Sequence, residues 1–368
     1  MRVRRALAWS LVAAVLSSAA VACGDDDGDD GRLPAVEGSP APEAYRIVYQ
    51  VLTPDSTSEE ERIVHRPFDA HVIERDRDGN VTAERWSALG VLVTRSQGGE
   101  AVAIDTAIAP AASDLRPDRF GDRLEAAGKL EAGESVSVSG RACTRAKEVG
   151  AVAVAPDATS GSTPTTLSVL VERCVDALGL VLEERWTTVG GERVLTKRAI
   201  ELDLGEDVPA IEVPDVEPLP PEQGNGAVRE VEADATPPFQ EAWALPAPAG
   251  FTFVGRYAVQ PARLGSAGAA AGEADLALYT DVWERDGDLL LLDQGASRSG
   301  NPPFDPDAVL GPVELPGLGS AELALDLRLA EVRLRRPDGG FVRVAGTVDP
   351  DELVELARTL QRQTGATP

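Results

Sequence analysis

Residues 45–53 read YRIVYQVLT, with Tyr45, Ile47, Tyr49 and Val51 at every second position. That is the period of a strand with one buried face, whereas apolar positions on a helix recur every three to four residues. The pattern returns in HVIERD, VTAERWSALGVLVTR, EAVAIDTAIA, ESVSVSGRACTR, TTLSVLVERCVD, GLVLEERWTT and ERVLTKRAIELDL. A chain so patterned buries its apolar side chains by laying strands edge to edge in a broad antiparallel sheet. Between these runs, LRPDRFGDRLEAAGKL has room for one short helix, limited by its proline and glycines. The expected fold over residues 44–204 is therefore mainly β (α+β), a large antiparallel sheet with few helices.

Two stretches one hundred residues apart share a device. DRDGNVTAERWSALG begins at Asp76 and DALGLVLEERWTTVG at Asp176. They match without a gap at Asp76/Asp176, Gly79/Gly179, Val81/Val181, Glu84/Glu184, Arg85/Arg185, Trp86/Trp186 and Gly90/Gly190. Each reads as a D-x-x-G turn that reverses the chain, followed by a strand carrying a tryptophan seven residues past the turn glycine. The offset is far too long for a solenoid repeat. Two readings stand: hairpins that share only turn chemistry, or two tryptophans presented to one concave face.

Residues 205–238 contain seven prolines and several carboxylates. Proline cannot join ladders freely, so this run reads as an inter-domain linker. Beyond it, GFTFVGRYAV is strand-like, DLALYTDVWERDGDLLLLDQG is a hairpin about RDGD, and AELALDLRLAEVRLRRPDGGFVRVAGTV holds long strands with a turn at PDGG. The chain then offers Asp349 as N-cap, Pro350 at the first helical position and Glu352 at the third. Leu353, Leu356, Ala357 and Leu360 continue as an apolar stripe. A small β-sheet domain over 239–368, closed by one C-terminal helix, is the expected outcome.

The formal net charge is −26, so nucleic acid is excluded as a natural partner and anionic headgroups repel the body of the chain. Membrane contact needs another device, and the N-terminus supplies one. MRVRR precedes ALAWSLVAAVLSSAA, the charged and apolar regions of a secretory signal over residues 1–22. The apolar stretch is short for a span of about twenty residues, although an uncleaved anchor helix remains the alternative. AAVAC resembles a bacterial lipobox, with Val21 and Ala22 before Cys23 and Ala20 where leucine is usual. The resemblance implies acylation of Cys23 as a lipid anchor at the outer face of the cell membrane. Residues 23–43, rich in aspartate and glycine, then read as a disordered tether spanning roughly 25 Å; a weak calcium sink is the other reading. The cysteines are Cys23, Cys143 and Cys174, an odd number. With Cys23 acylated, Cys143 and Cys174 are left to form a disulfide in an oxidising compartment, or to stay as buried thiols.

Chemistry-bearing motifs are scarce. The two histidines, His65 and His71, lie six residues apart on strand-like sequence and read as surface or edge residues. They lack the partners of a zinc site or a nucleophile elbow. DRDGN has its glycine fourth from Asp76, not sixth, so it is no calcium loop. Glu183 and Glu184 are adjacent on a strand and face opposite ways. We expect no catalytic residues, no metal and no cofactor.

Residues 44–204 resemble the LolA/LppX/RseB group of envelope proteins in the opening YRIVYQV, in strand–turn–strand units ending in ERW, and in the cysteines of GRACTR and VERCVDALGLVLEERW. The C-terminal part is similar to the second domain of RseB-type proteins through PAGFTFVGR, ALYTDVWERDGDLLLLDQG and FVRVAGTVDPDELVELARTL. The resemblance implies a curved antiparallel half-barrel and a hollow that holds acyl chains. Trp86, Leu180, Leu182 and Trp186 are the candidates to line such a hollow, although the same alternation describes an ordinary half-buried sheet and such residues are more often core than ligand wall. It implies a non-enzymatic lipoprotein that binds a lipid, or alternatively a regulator that recognises a membrane protein partner.

Overall fold

The computed structural model describes residues 42–105, 108–111, 116–149, 152–154, 167–217, 227–235, 239, 242–260, 277–296, 309–336 and 340–363. The signal segment, Cys23, the tether up to residue 41 and most of the PDGG turn lie outside them.

The period-two runs form the first sheet. Its strands are β1 (Ala44–Leu52), β2 (Thr57–His65), β3 (Asp69–Arg75), β4 (Val81–Ala88), β5 (Val91–Ser96) and β6 (Val102–Asp105). After helix α1 (Pro117–Ala126) come β7 (Leu130–Val138), β8 (Arg141–Glu148), β9 (Val152–Val154), β10 (Leu167–Val175), β11 (Val181–Thr188) and β12 (Arg193–Leu204). The spatial order is β6-β5-β4-β3-β2-β1-β12-β11-β10-β8-β7, with β9 also beside β10, and every pairing is antiparallel. The ends, β6 and β7, do not pair with each other, so the sheet is open.

The β7 end rolls over the face that carries Tyr45, Ile47, Tyr49 and Val51. Ser139, in the turn between β7 and β8, donates its hydroxyl to the Ala199 carbonyl on β12 at 2.8 Å. Tyr49 on β1 likewise reaches past β12 to the Val181 carbonyl on β11 at 2.7 Å. Neither contact is possible across a flat sheet. Inside the roll, Tyr45, Ile47, Tyr49, Val64, Leu180, Leu182 and Ala199 are buried together with both disulfide cysteines. The result is the expected curved half-barrel.

The second sheet contains β13 (Ala227–Val231), β15 (Thr252–Gln260), β16 (Ala277–Arg285), β17 (Asp288–Ala296), β18 (Val309–Leu315), β19 (Gly319–Leu325), β20 (Ala330–Arg335) and β21 (Gly340–Gly346). Its order is β13-β15-β16-β17-β21-β20-β19-β18. Helix α2 (Pro350–Arg358) is capped as its sequence dictates: the Asp349 carboxylate accepts from the Asp351 N–H at 2.8 Å. Leu353 and Ala357 of this helix are fully buried. A short ribbon of β14 (Ala242–Ala244) and β22 (Gln361–Gln363) follows the helix.

Two features of this arrangement could not be read locally. Residues 205–217 do not hang free of the first sheet. Ile211 and Val216 pack against Trp86, and the Pro209 carbonyl lies 2.9 Å from His65 Nε2. The second feature is α1, which locks the two sheets together. The Arg116 N–H donates to the Leu327 carbonyl at 2.7 Å, and Arg116 and Arg119 both donate to the buried Asp288 carboxylate, at 3.0 and 2.8 Å. Arg119 also donates to the Thr347 carbonyl at 2.7 Å. Phe120 and Leu124 belong to a core that includes Leu290, Val344 and Leu353 of the second unit. Elsewhere Gly90 comes so close to β13 that a Cβ there would stand 2.9 Å from Val228. Phe68, Leu89 and Ile108 share a third core with Val282 and Leu291.

Candidate functional site

The two D-x-x-G devices are the same object at atomic detail. Asp76 Oδ1 accepts from the N–H groups of Asp78 and Asn80, both at 2.9 Å, and Gly79 adopts φ +82°. Asp176 Oδ1 accepts from Leu178 and Leu180 at 2.9 and 2.8 Å, and Gly179 adopts φ +81°. Each Asx-type turn needs the short carboxylate and the glycine's left-handed freedom. Even the bulge recurs, between Glu74 and Arg75 in one and Cys174 and Val175 in the other. Trp86 lies opposite His71 and Val93, and Trp186 opposite Val171 and Leu195.

The tryptophans nevertheless face opposite ways. The row through Trp86 runs by His71 and Ile63 to Arg46. Trp186 sits over Leu195, two residues from Lys197, which pairs with Val51. Arg46 and Val51 lie an odd number of residues apart on β1, hence on opposite sides of the sheet. Of the two readings, one shared concave face is thereby overturned, and the hairpins share turn chemistry. Parity is the reason: β4 and β11 are an odd number of steps apart in an antiparallel sheet and run in opposite directions. One device repeated in the same lateral order but reversed in direction shows its central side chain to the other face.

Their surroundings differ accordingly. Trp86 is 4% exposed, stacked on His71 with ring centres 4.5 Å apart, with the Arg95 guanidinium 5.3 Å from its ring. Ile211 and Val216 cover the same cluster. Burial pushes the His71 imidazole below its ordinary pKa, against the weaker pull of Glu84. His65 and His71 thus lie on interior strands and share a face, but they serve different neighbours. Trp186 is half-buried and donates its indole N–H to Glu184 at 2.8 Å.

Trp186 belongs to a row of alternating charges inside the roll. Glu60 pairs with Arg62 and, at 2.6 Å, with Lys197; Glu184 accepts from Arg173 at 2.8 Å, and Arg173 also pairs with Glu148. Burial alone raises Glu60, but Arg62 and Lys197 outweigh it and hold the carboxyl at about 2. Glu184 is likewise lowered despite its burial, by Arg173. These carboxylates stay ionised near neutrality and lack the raised pKa of a general acid. Among the described residues, no group of three or more His, Cys, Asp and Glu side chains is placed to hold a metal ion.

Leu180 and Leu182 are 1% and 0% exposed, within the core of the roll. The four candidate ligand residues are therefore split between a strapped outer face, a polar row and a packed interior. None of them lines the cleft of about 390 Å³ that opens between α1 and the β7–β8 hairpin. Its walls are Leu130, Ala132, Ala142, Ala146, Val175 and Ala177, with Gly121, Asp122 and Glu125 of α1 along one side. Cys143, bonded to Cys174 across a separation of 31 residues, is also among its lining residues. Beside it Arg141 Nε donates to the buried Asp176 carboxylate at 2.6 Å, tying the β7–β8 turn to the second D-x-x-G turn. The sequence signal for this cleft was faint, a scatter of alanines in LEAGES and GRACTRA that leaves space where larger side chains would fill it.

No protein-family description matches the chain, and no curated protein matches it. Among solved structures it is similar to MucB in the Pseudomonas aeruginosa MucA/MucB complex, at 15% identity over 88% of this chain and 94% of that one, with a TM-score of 0.31. MucB in complex with MucA(peri) gives 14% identity, the same coverages and a TM-score of 0.25. MucB by itself gives 13% and 0.29, again over 88% and 94%. At such scores the topology rests on the register of this chain alone.

Proposed function

We propose that the chain is an exported, non-enzymatic binding protein that accommodates an acyl chain or a comparable apolar group, anchored at the outer face of a bacterial cell membrane by acylation of Cys23. The cleft under α1 carries this reading. Its volume of about 390 Å³ lies within the usual range of about 300–1,000 Å³ for small-molecule sites. Its small apolar walls suit a methylene chain, and the disulfide and the Arg141–Asp176 pair keep it preformed. On this reading residues 44–204 bind, residues 239–368 form the second unit, and 205–238 connect them. The acidic tether sets the body of a chain whose net charge is −26 away from anionic headgroups.

A regulator that recognises a membrane protein is the second reading, favoured by α1. This helix is both a wall of the cleft and the latch to Asp288 and Thr347, so displacing it disturbs both sheets.

Native mass spectrometry of the full chain, extracted in mild detergent, tests the choice. The carrier reading expects an acyl-containing molecule beyond the N-terminal modification, lost in Ala132→Phe, which fills the cleft from an exposed position. A folded sample without bound lipid leaves the regulator. Cys23→Ser is expected to release the chain from membranes; sedimentation after a high-salt wash would defeat the anchor.

A further inference from the structure

Both histidines of the chain lie on the path of one connecting segment. Residues 208–217 leave β12, meet β2 at His65 and end over Trp86 of β4, so they cross β3 on the face that carries His71. They join no ladder. His65 Nε2 and the Pro209 carbonyl, 2.9 Å apart, pin one end. Half-buried Ile211 and Val216 hold the other end against Trp86, Val93 and Ala103, which are at most 4% exposed.

The two ends answer acid differently. A carbonyl oxygen only accepts, so His65 donates through Nε2 and still does so after gaining a second proton. His71 lies between Trp86 on β4 and Ile63 on β2, with its Nε2 buried. Glu84 Oε1 on β4 stands 3.5 Å from that nitrogen, and the same side chain accepts from Arg95 Nε of β5 at 2.7 Å. Glu61 on β2 is paired with Arg46 and Arg75, and Glu212, Asp215 and Glu217 of the strap are exposed. Burial opposes a charge on the ring and Arg95 adds to that, against the pull of Glu84 and Glu61, so the His71 pKa lies below its ordinary 6.5. Water admitted to the stack lets the ring take the proton more readily.

We propose that residues 210–217 are an acid-released flap: protonated His71 favours the form in which Ile211 and Val216 stand off Trp86, while His65 keeps Pro209 as the hinge. Release bares the Trp86 face and slackens the connection between the two sheets. Because the closed form binds the proton less tightly, the ratio of open to closed rises as pH falls below 6.5, by up to about tenfold between pH 7.5 and 5.5.

The test reads a thiol placed under the flap. Val93→Cys in the full-length chain is labelled with 4,4′-dithiodipyridine at pH 7.5 and 5.5, and its rate is divided by that of Ser96→Cys, exposed on the same strand. The quotient is expected to rise at least about threefold on acidification and to stay level in His71→Phe, whose ring does not titrate. Replacing both Ile211→Ser and Val216→Ser is expected to give the fast quotient at both pH values. A level quotient with His71 in place, or an equal rise in His71→Phe, overturns the proposal, as does slow labelling in the double variant. Equal acceleration of Val344→Cys, buried in the second sheet, would show the whole chain opening and overturn it too. The comparison of the two pH values needs no histidine variant, so a poorly folded His71→Phe does not blunt it.

Discussion

Set side by side, the two D-x-x-G hairpins show how little a local motif determines about its own surroundings. Turn, bulge and tryptophan coincide, yet one tryptophan is closed under a strap against His71 and Arg95 and the other rests on a row of ion pairs inside the roll. Position 74 is a half-exposed glutamate where position 174 is a disulfide cysteine. The first turn aspartate, Asp76, is half-exposed, whereas Asp176 is 5% exposed and holds Arg141. Direction within the sheet, and not turn chemistry, assigns the environment.

The comparison can be broken at several points. The largest effects are expected at the buried members. Asp176→Ala removes the buried carboxylate that holds the Arg141 guanidinium and the Leu178 and Leu180 N–H groups and is expected to cost about 3–5 kcal/mol in urea unfolding, while Asp76→Ala should cost far less. Equal costs would mean that the second turn gains nothing from burial. Trp86→Ala is expected to cost about 3–5 kcal/mol as a large core truncation, and Trp186→Ala about 1–2 kcal/mol; a reversed order would contradict the face assignment. Cys143→Ser removes the cross-link that only the second hairpin has, with an expected loss of about 2–5 kcal/mol and unchanged localisation.

The smallest effect separates the two tryptophan environments by pH. Burial lowers the His71 pKa, so the folded chain binds fewer protons than the unfolded one below the ordinary value of 6.5. His71 therefore costs no stability above 6.5 and increasingly more as pH falls below it. The wild type should lose more urea resistance between pH 7.5 and 5 than His71→Phe does. Glu60, whose stabilising pairs are lost only between its ordinary 4.5 and about 2, stays outside that window. Identical losses in both proteins would show that burial does not keep His71 neutral.

Strands and turns were legible because they are written locally. Period two marked β1, D-x-x-G marked two reversals, and Asp349-Pro350 marked the start of α2. What was illegible depends on distant neighbours. The faces of Trp86 and Trp186 follow from β1 and β12 meeting in the middle of the sheet, which no window of sequence contains. Ile211 and Val216 were hidden in a proline-rich run because an extended strap needs no ladder hydrogen bonds to pack. Nothing local to Arg116 and Arg119 marks them as a latch, because their acceptor Asp288 lies about 170 residues further along the chain. The cleft escaped notice because alanine signals space only when its neighbours are known.

The pairing of β1 with β12 also sets the order of events in folding. The strand made first and the strand made last in this unit are neighbours, Tyr45 opposite Leu204 and Leu52 opposite Thr196. During synthesis β1 to β6 can form half a sheet, but β1 stays a bare, aromatic-rich edge until β12 arrives. Such a contact is slow to form and leaves an aggregation-prone edge exposed meanwhile. A chain truncated anywhere before residue 193 would keep that edge permanently, so its solubility should fail at the last strand and not in proportion to the residues removed.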